Sequence, residues 1–240
     1  MAPSRSPWND RWQTFPTSGP IRVEDGIATR KKRGAMADAW WSARLVELLA
    51  TYGLGGRMER GRRYARRGQL VSFRVEPGAL VAQVQGSRAT PYDVIVSFAP
   101  LDEPQWAAVQ QAIEASLHIP AKLLAGEVPA ELEDAFDDAG VALLPGRWRD
   151  LRAACSCPDH ENPCKHIAAV LYVLADRLDD DPWLLLLWRG RTRDEVLAHL
   201  RAPSTAVHEE VAPWWPLRPG APLPTGDAAR EPWHDADPAG

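Results

Sequence analysis

The sequence predicts an α+β fold, a small antiparallel sheet with flanking helices and a metal-binding element toward the C-terminus. Three observations carry that reading. Residues 70–76, 79–85 and 92–98 alternate side to side and are parted by turn residues, the mark of short strands in a meander. Apolar residues recur at helical spacing before and after those strands. All three cysteines fall within ten residues, an odd, clustered set that suits a metal site and not a disulfide framework.

Taken in order, residues 1–36 hold Pro, Ser, Gly and the basic run Arg30-Lys31-Lys32-Arg33, which reads as a mobile tail. A helix is expected over 37–52, where Trp40, Trp41, Leu45, Leu48 and Leu49 share one face. Gly53, Gly55 and Gly56 end it. Between that helix and the strands lies a stretch with Arg57, Arg60, Arg62, Arg63, Arg66 and Arg67 against one acid, Glu59. It reads either as a solvated connector or as a contact for phosphates, with Tyr64 available to stack on a base.

After the strands, Asp102 offers a helix cap, followed by Glu103 and Pro104 in the first turn. Trp106, Val109, Ile113 and Leu117 then repeat at helical spacing. Further helical pieces fall at 121–124 and 129–139, and 141–144 reads as a strand closed by Pro145-Gly146. Past the cysteines, Ile167, Val170, Leu171, Leu174 and Leu178 mark one face of a helix ended by Asp179-Asp180-Asp181-Pro182. A buried turn at 183–188 and a last helix at 193–200 follow. Residues 203–240, rich in Pro and Ala, are expected to be disordered. The parts 37–145 and 146–202 should pack together, since no linker separates them.

The metal motif is Cys155-x-Cys157-x6-Cys164-x-His166. Zinc takes thiolates and imidazole in a tetrahedron, and structural sites fill all four positions with protein. Residues 151–154 are compatible with a strand, in which positions two apart share a face, so Cys155 and Cys157 can reach one ion. Cys164 should stand just before the next helix, with His166 in its first turn, because helical residues two apart diverge. Iron–sulfur proteins of the CDGSH type also use three Cys and one His, but their His follows the last Cys by four positions. Here it follows by two, which favours zinc. His160 is a spare donor that reads more simply as a loop residue.

These residues resemble the SWIM zinc finger, C-x-C, a variable gap, then C-x-H. The resemblance implies a β-hairpin and a helix around one structural Zn²⁺, with Cys155, Cys157, Cys164 and His166 as ligands. Arg60 to Arg66, Gly86-Ser87-Arg88 and 121–127 extend the likeness to an uncharacterised bacterial family of SWIM proteins, often encoded beside a Swi/Snf-type helicase. The resemblance thus implies DNA binding or a helicase-associated accessory role, or else a protein adaptor for the ATPase without nucleic-acid contact.

Net charge of −4 excludes a uniformly basic coat, so contact with DNA falls to a local patch such as the arginine stretch. No Walker loop, G-x-S-x-G or H-E-x-x-H occurs, and the expectation is a binding protein, not an enzyme. The start lacks an apolar signal core, and the most apolar run, 183–188, is far below the roughly 20 residues that span a bilayer. A soluble, cytoplasmic protein is expected.

Overall fold

The computed structural model describes residues 19–31, 39–51, 55–159 and 161–202. Residues 203–240, Lys32, Arg33, Gly53 and His160, which bear on the sequence reading, lie outside the described residues. Helices α1 (Trp40–Ala50) and α2 (Gly55–Arg67) lead into strands β1 (Leu70–Glu76), β2 (Ala79–Val84) and β3 (Tyr92–Phe98). Helices α3 (Glu103–Ala115), α4 (Ile119–Leu124) and α5 (Leu132–Asp138) follow, then strand β4 (Leu151–Cys155). The chain continues through α6 (Lys165–Asp180), α7 (Leu184–Trp188) and α8 (Arg193–Arg201).

The three expected strands form the meander, and β4 joins β3 to give one antiparallel sheet in the order β1-β2-β3-β4. The pairing aligns Val94 with Cys155 and Phe98 with Leu151. Residues 141–144, expected as a strand, are irregular, and Leu143 and Leu144 are buried without strand pairing. Asp102 caps α3 as its side chain predicts. Its carboxylate accepts from the Gln105 backbone at 2.9 Å, and the Gln105 side chain accepts from the Asp102 backbone at 3.0 Å.

One face of the sheet, with Leu80, Ala82, Val84, Val94, Val96 and Phe98, is buried. The central element is α6, in which every residue from His166 to Asp176 is buried. Its sequence marks a single apolar face, but the fold encloses the helix. It touches the four strands as well as α1, α2 and α7, and a helix surrounded in this way is apolar all round.

The arginine stretch is no connector: it is α2, packed along α6. Met58, Gly61 and Ala65 recur at helical spacing and are buried there. A Cβ added at Gly61 would stand 2.4 Å from the Ala168 Cβ and 2.9 Å from the Lys165 carbonyl oxygen. Only glycine permits so close an approach of the two backbones.

The expected mobile tail also needs correction. Within it, Ile27 bridges to Leu70, Thr29 is buried, and Arg30 is tied to the C-terminal end of α6. The Arg30 backbone N–H donates to both Asp176 carboxylate oxygens at 3.1 and 3.2 Å. Its guanidinium pairs with Asp179 at 3.6 Å and Asp180 at 2.5 Å. Asp179 also accepts from the Ala39 backbone at 3.0 Å and from Ser42, which anchors the start of α1. Three carboxylates at a helix C-terminus oppose the helix dipole, and Arg30 offsets that repulsion. Among the described residues, no helix is long and apolar enough to cross a membrane.

Gly61→Ala is expected to lower the unfolding free energy by about 1–3 kcal/mol through overpacking. Urea denaturation of the zinc-loaded protein reads this as a lower midpoint. A midpoint equal to that of the unsubstituted protein would mean that the two helices can part without cost.

Candidate metal centre

Cys155 is the last residue of β4, and the pairing with β3 continues one residue beyond it. The Ser156 backbone N–H donates to the Asp93 carbonyl at 3.0 Å, and Ser156 Oγ accepts from the Asp93 N–H at 2.9 Å. The chain then turns through Cys157 and returns, with Asn162 Nδ2 donating to the Ala153 carbonyl at 2.7 Å. Cys164 is the N-cap of α6, with extended backbone, and His166 lies in the first helical turn.

These elements bring the four expected ligands together. One donor atom from each of Cys155, Cys157, Cys164 and His166 lies within 4.8 Å of every other. His166 Nδ1 is 3.7 Å from Cys155 Sγ and 3.9 Å from Cys164 Sγ. Zinc bonds of about 2.3 Å to sulfur and 2.0–2.1 Å to nitrogen place the corners of a tetrahedron roughly 3.6–3.8 Å apart. The donor set therefore fits a single structural Zn²⁺, which the protein binds.

The thiols are mutually dependent. The Cys155 thiol hydrogen-bonds Cys164 and holds it as a thiolate, down to about 4, with His166 adding to the effect. The same bond keeps the proton on Cys155, and burial pushes Cys157 up. Three anionic sulfurs at this separation need a cation among them, and zinc supplies it. With zinc the centre carries about one net negative charge beside the N-terminus of α6, whose partial positive charge suits it.

Two aromatic rings hold the imidazole. Tyr92 lies 4.6 Å from the His166 ring centre and Tyr64 lies 5.5 Å away. With Nδ1 facing the sulfurs, His166 Nε2 is turned into the protein, where it is buried and has no hydrogen-bond partner among the described residues. A Cβ at Gly86 would stand 2.5 Å from Tyr92 Cε2 and 3.4 Å from His166 Nε2. Gly86 thus lets the tyrosine lie against the ligand. These supports carry no signal in the metal motif itself, although Gly86-Ser87-Arg88 belongs to the wider resemblance.

Tyr64 is 8% exposed and packed against His166, so it offers no stacking surface to a base. Its other neighbour is Lys165, whose Nζ stands 5.4 Å from the ring centre. The six arginines separate into two groups. Arg57 pairs with Asp159 of the metal loop at 3.5 Å, Arg62 pairs with Glu59, and Arg66 is half-buried. Arg60, Arg63 and Arg67 are exposed along one line of α2 and have no carboxylate partner among the described residues. Arg30, from the other basic run, is committed to the aspartates of α6. Trp106, Trp183 and Trp188 are core residues, and Trp41 donates to the Leu178 carbonyl at 3.1 Å.

Comparison with known proteins agrees with this geometry. The SWIM zinc finger family model matches residues 139–175. Over 187 residues the chain is 47% identical to the uncharacterized protein Rv2102 of Mycobacterium tuberculosis, a match that takes in 78% of this chain and 68% of the relative. No solved structure matches the chain.

Purified protein is expected to carry one zinc per chain by elemental analysis, and Cys164→Ser to lose it. Because binding displaces protons from Cys155 and Cys157, zinc retention should fall as the pH is lowered. Retention that is flat with pH, or iron and sulfide in place of zinc, would contradict the assignment.

Proposed function

The chain belongs to the family of SWIM zinc finger proteins, and on that premise we propose that it is a DNA-binding accessory module whose contact surface is α2. One observation carries the reading. Among the described residues, Arg60, Arg63 and Arg67 stand unpaired on a helix that is itself clamped to the zinc-anchored helix α6. Positions separated by three and four residues share one side of a helix. The stripe runs about 10 Å at 1.5 Å per residue, close to three base-pair steps of a duplex. Guanidinium groups suit phosphate oxygens, which they can bind in pairs.

In this reading zinc does not touch the ligand. It fixes the start of α6, α6 fixes α2 through the Gly61 contact, and α2 presents the arginines. The ion pair between Arg57 and Asp159 ties α2 to the metal loop directly. The same reading makes the chain a binding protein and not an enzyme. Four protein donors complete the zinc tetrahedron, whereas a catalytic zinc keeps one position for water. The family resemblance supports a Swi/Snf-type ATPase as the machine it serves, in the cytoplasm. Docking on that ATPase without nucleic acid is the rival reading.

A salt series separates the two. Affinity of the zinc-loaded protein for duplex DNA is expected to fall steeply between about 50 and 200 mM salt, as counterion release requires. Replacing Arg60, Arg63 and Arg67 by alanine should flatten the log–log slope by about 3, near one for each phosphate left without its arginine. No binding even at about 50 mM salt would sink the DNA reading and leave the adaptor standing.

A further inference from the structure

We propose that the open face of the sheet is a self-association surface, on which a second copy of this chain docks about a two-fold axis running along the strands. The self-association does not depend on nucleic-acid binding. Its ground is the arrangement of side chains on the face that α6 leaves uncovered.

The strand register fixes three rows across that face. The first runs Glu76, Ala79, Ser97, Arg152 and the second Arg74, Val81, Ile95, Ala154. The third holds Ser72, Gln83 and Asp93, extended by Ser156 through its backbone bond to Asp93. Ile95, at the centre, is 46% exposed. The middle row is therefore apolar from Val81 to Ala154, with Arg74 at its β1 end, while the first row ends in an acid on one edge strand and a base on the other. Among the described residues, Glu76 has an ion pair with Arg74, at 3.3 Å, and Arg152 has none.

A two-fold axis parallel to the strands, between β2 and β3, lays β1 of one copy on β4 of the other and β2 on β3. Each row then meets itself reversed. Glu76 faces the partner's Arg152, Val81 faces the partner's Ile95, and Gln83 faces the partner's Asp93, each contact occurring twice. An axis across the strands would instead set Arg74 against the partner's Arg74. The charge pattern thus selects one of the two symmetric packings. Face-to-face sheets cross at about 30°, an offset that long Glu and Arg side chains can span.

The relief of the face agrees. A groove of about 630 Å³ is lined by Arg149, Asp150 and Arg152, two bases against one acid, together with Ala79, Ser97 and Pro100. It lies at the place where the partner's Glu76 would arrive. The face itself is small, four strands at 4.7–4.9 Å or roughly 19 Å wide, and about 17 Å along the strands. That is below the ~800 Å² per partner of a standard interface, so the dimer is weak and dependent on concentration.

Sedimentation of the zinc-loaded full chain from about 1 µM to several hundred µM tests the proposal. A reversible monomer–dimer equilibrium is expected. Arg152→Glu and Glu76→Arg should each weaken it by about tenfold or more, since each sets like charges together twice. The two changes combined should restore it, to within about threefold, by re-forming the pair with its signs exchanged. Circular dichroism and zinc content of each variant establish that it is folded. A protein that stays monomeric at the highest concentration overturns the proposal. So does a dimer indifferent to Arg152→Glu, or one that the double change fails to restore.

Discussion

Everything in this structure leans on the joint between the end of β4 and the start of α6, where four side chains from three local structures converge on one point. A strand end, a turn and a helix cap have no common hydrogen-bond pattern to hold them together. The metal replaces that pattern. Structural zinc contributes roughly 10–16 kcal/mol of apparent binding energy in small finger peptides, comparable to the whole stability of a domain. Here the finger is not an isolated module, because β4 is also a strand of the main sheet and α6 is also the core helix. Zinc therefore bonds the two halves of one core to each other.

The choice of α6 as the centre has consequences at both of its ends. At the N-terminus the helix dipole favours the anionic zinc–thiolate cluster. At the C-terminus Asp176, Asp179 and Asp180 meet the wrong end of the same dipole, and Arg30 arrives from 146 residues earlier in the chain to neutralise them. In between, the helix is so enclosed that one neighbour must come very close, and Gly61 with Ala168 makes the room. A single helix thus links an electrostatic contact at each end to a steric one in the middle.

The sequence made the metal site legible because its requirements are local. Four ligands in twelve residues, with strand-like and helix-like spacing at either side, leave little freedom. The three-stranded meander and the Asp102 cap were readable for the same reason. The misreadings all involve contacts distant in sequence. Helix α2 looks like a connector because arginine masks its apolar face and Gly61 looks like a breaker. Its helical identity comes from packing on α6. Residues 141–144 have strand-forming composition, but Leu143 and Leu144 are taken into the core from an irregular segment instead of pairing with the sheet. Tyr64 looks available to a base in the sequence, but the imidazole of His166 needs a wall and takes it. The held segment around Arg30 is invisible in the sequence because its partners are the aspartates of α6.

The distribution of charge follows from these same contacts. The chain has four more acids than bases, yet among the described residues three arginines of α2 find no acid. Glu59 is taken by Arg62, Asp159 by Arg57, and the aspartates at the end of α6 by Arg30. Each of those carboxylates is held in place by the fold before the outer line of α2 is reached. What remains on Arg60, Arg63 and Arg67 is positive charge that packing has not consumed. A solvated arginine on a random surface has freedom to swing toward any acid, but these three project from a helix fixed along its length. Holding them in line removes entropy that a ligand would otherwise have to overcome on binding. On the DNA-binding proposal, a surface whose metal never meets the partner would still depend on the metal for its affinity.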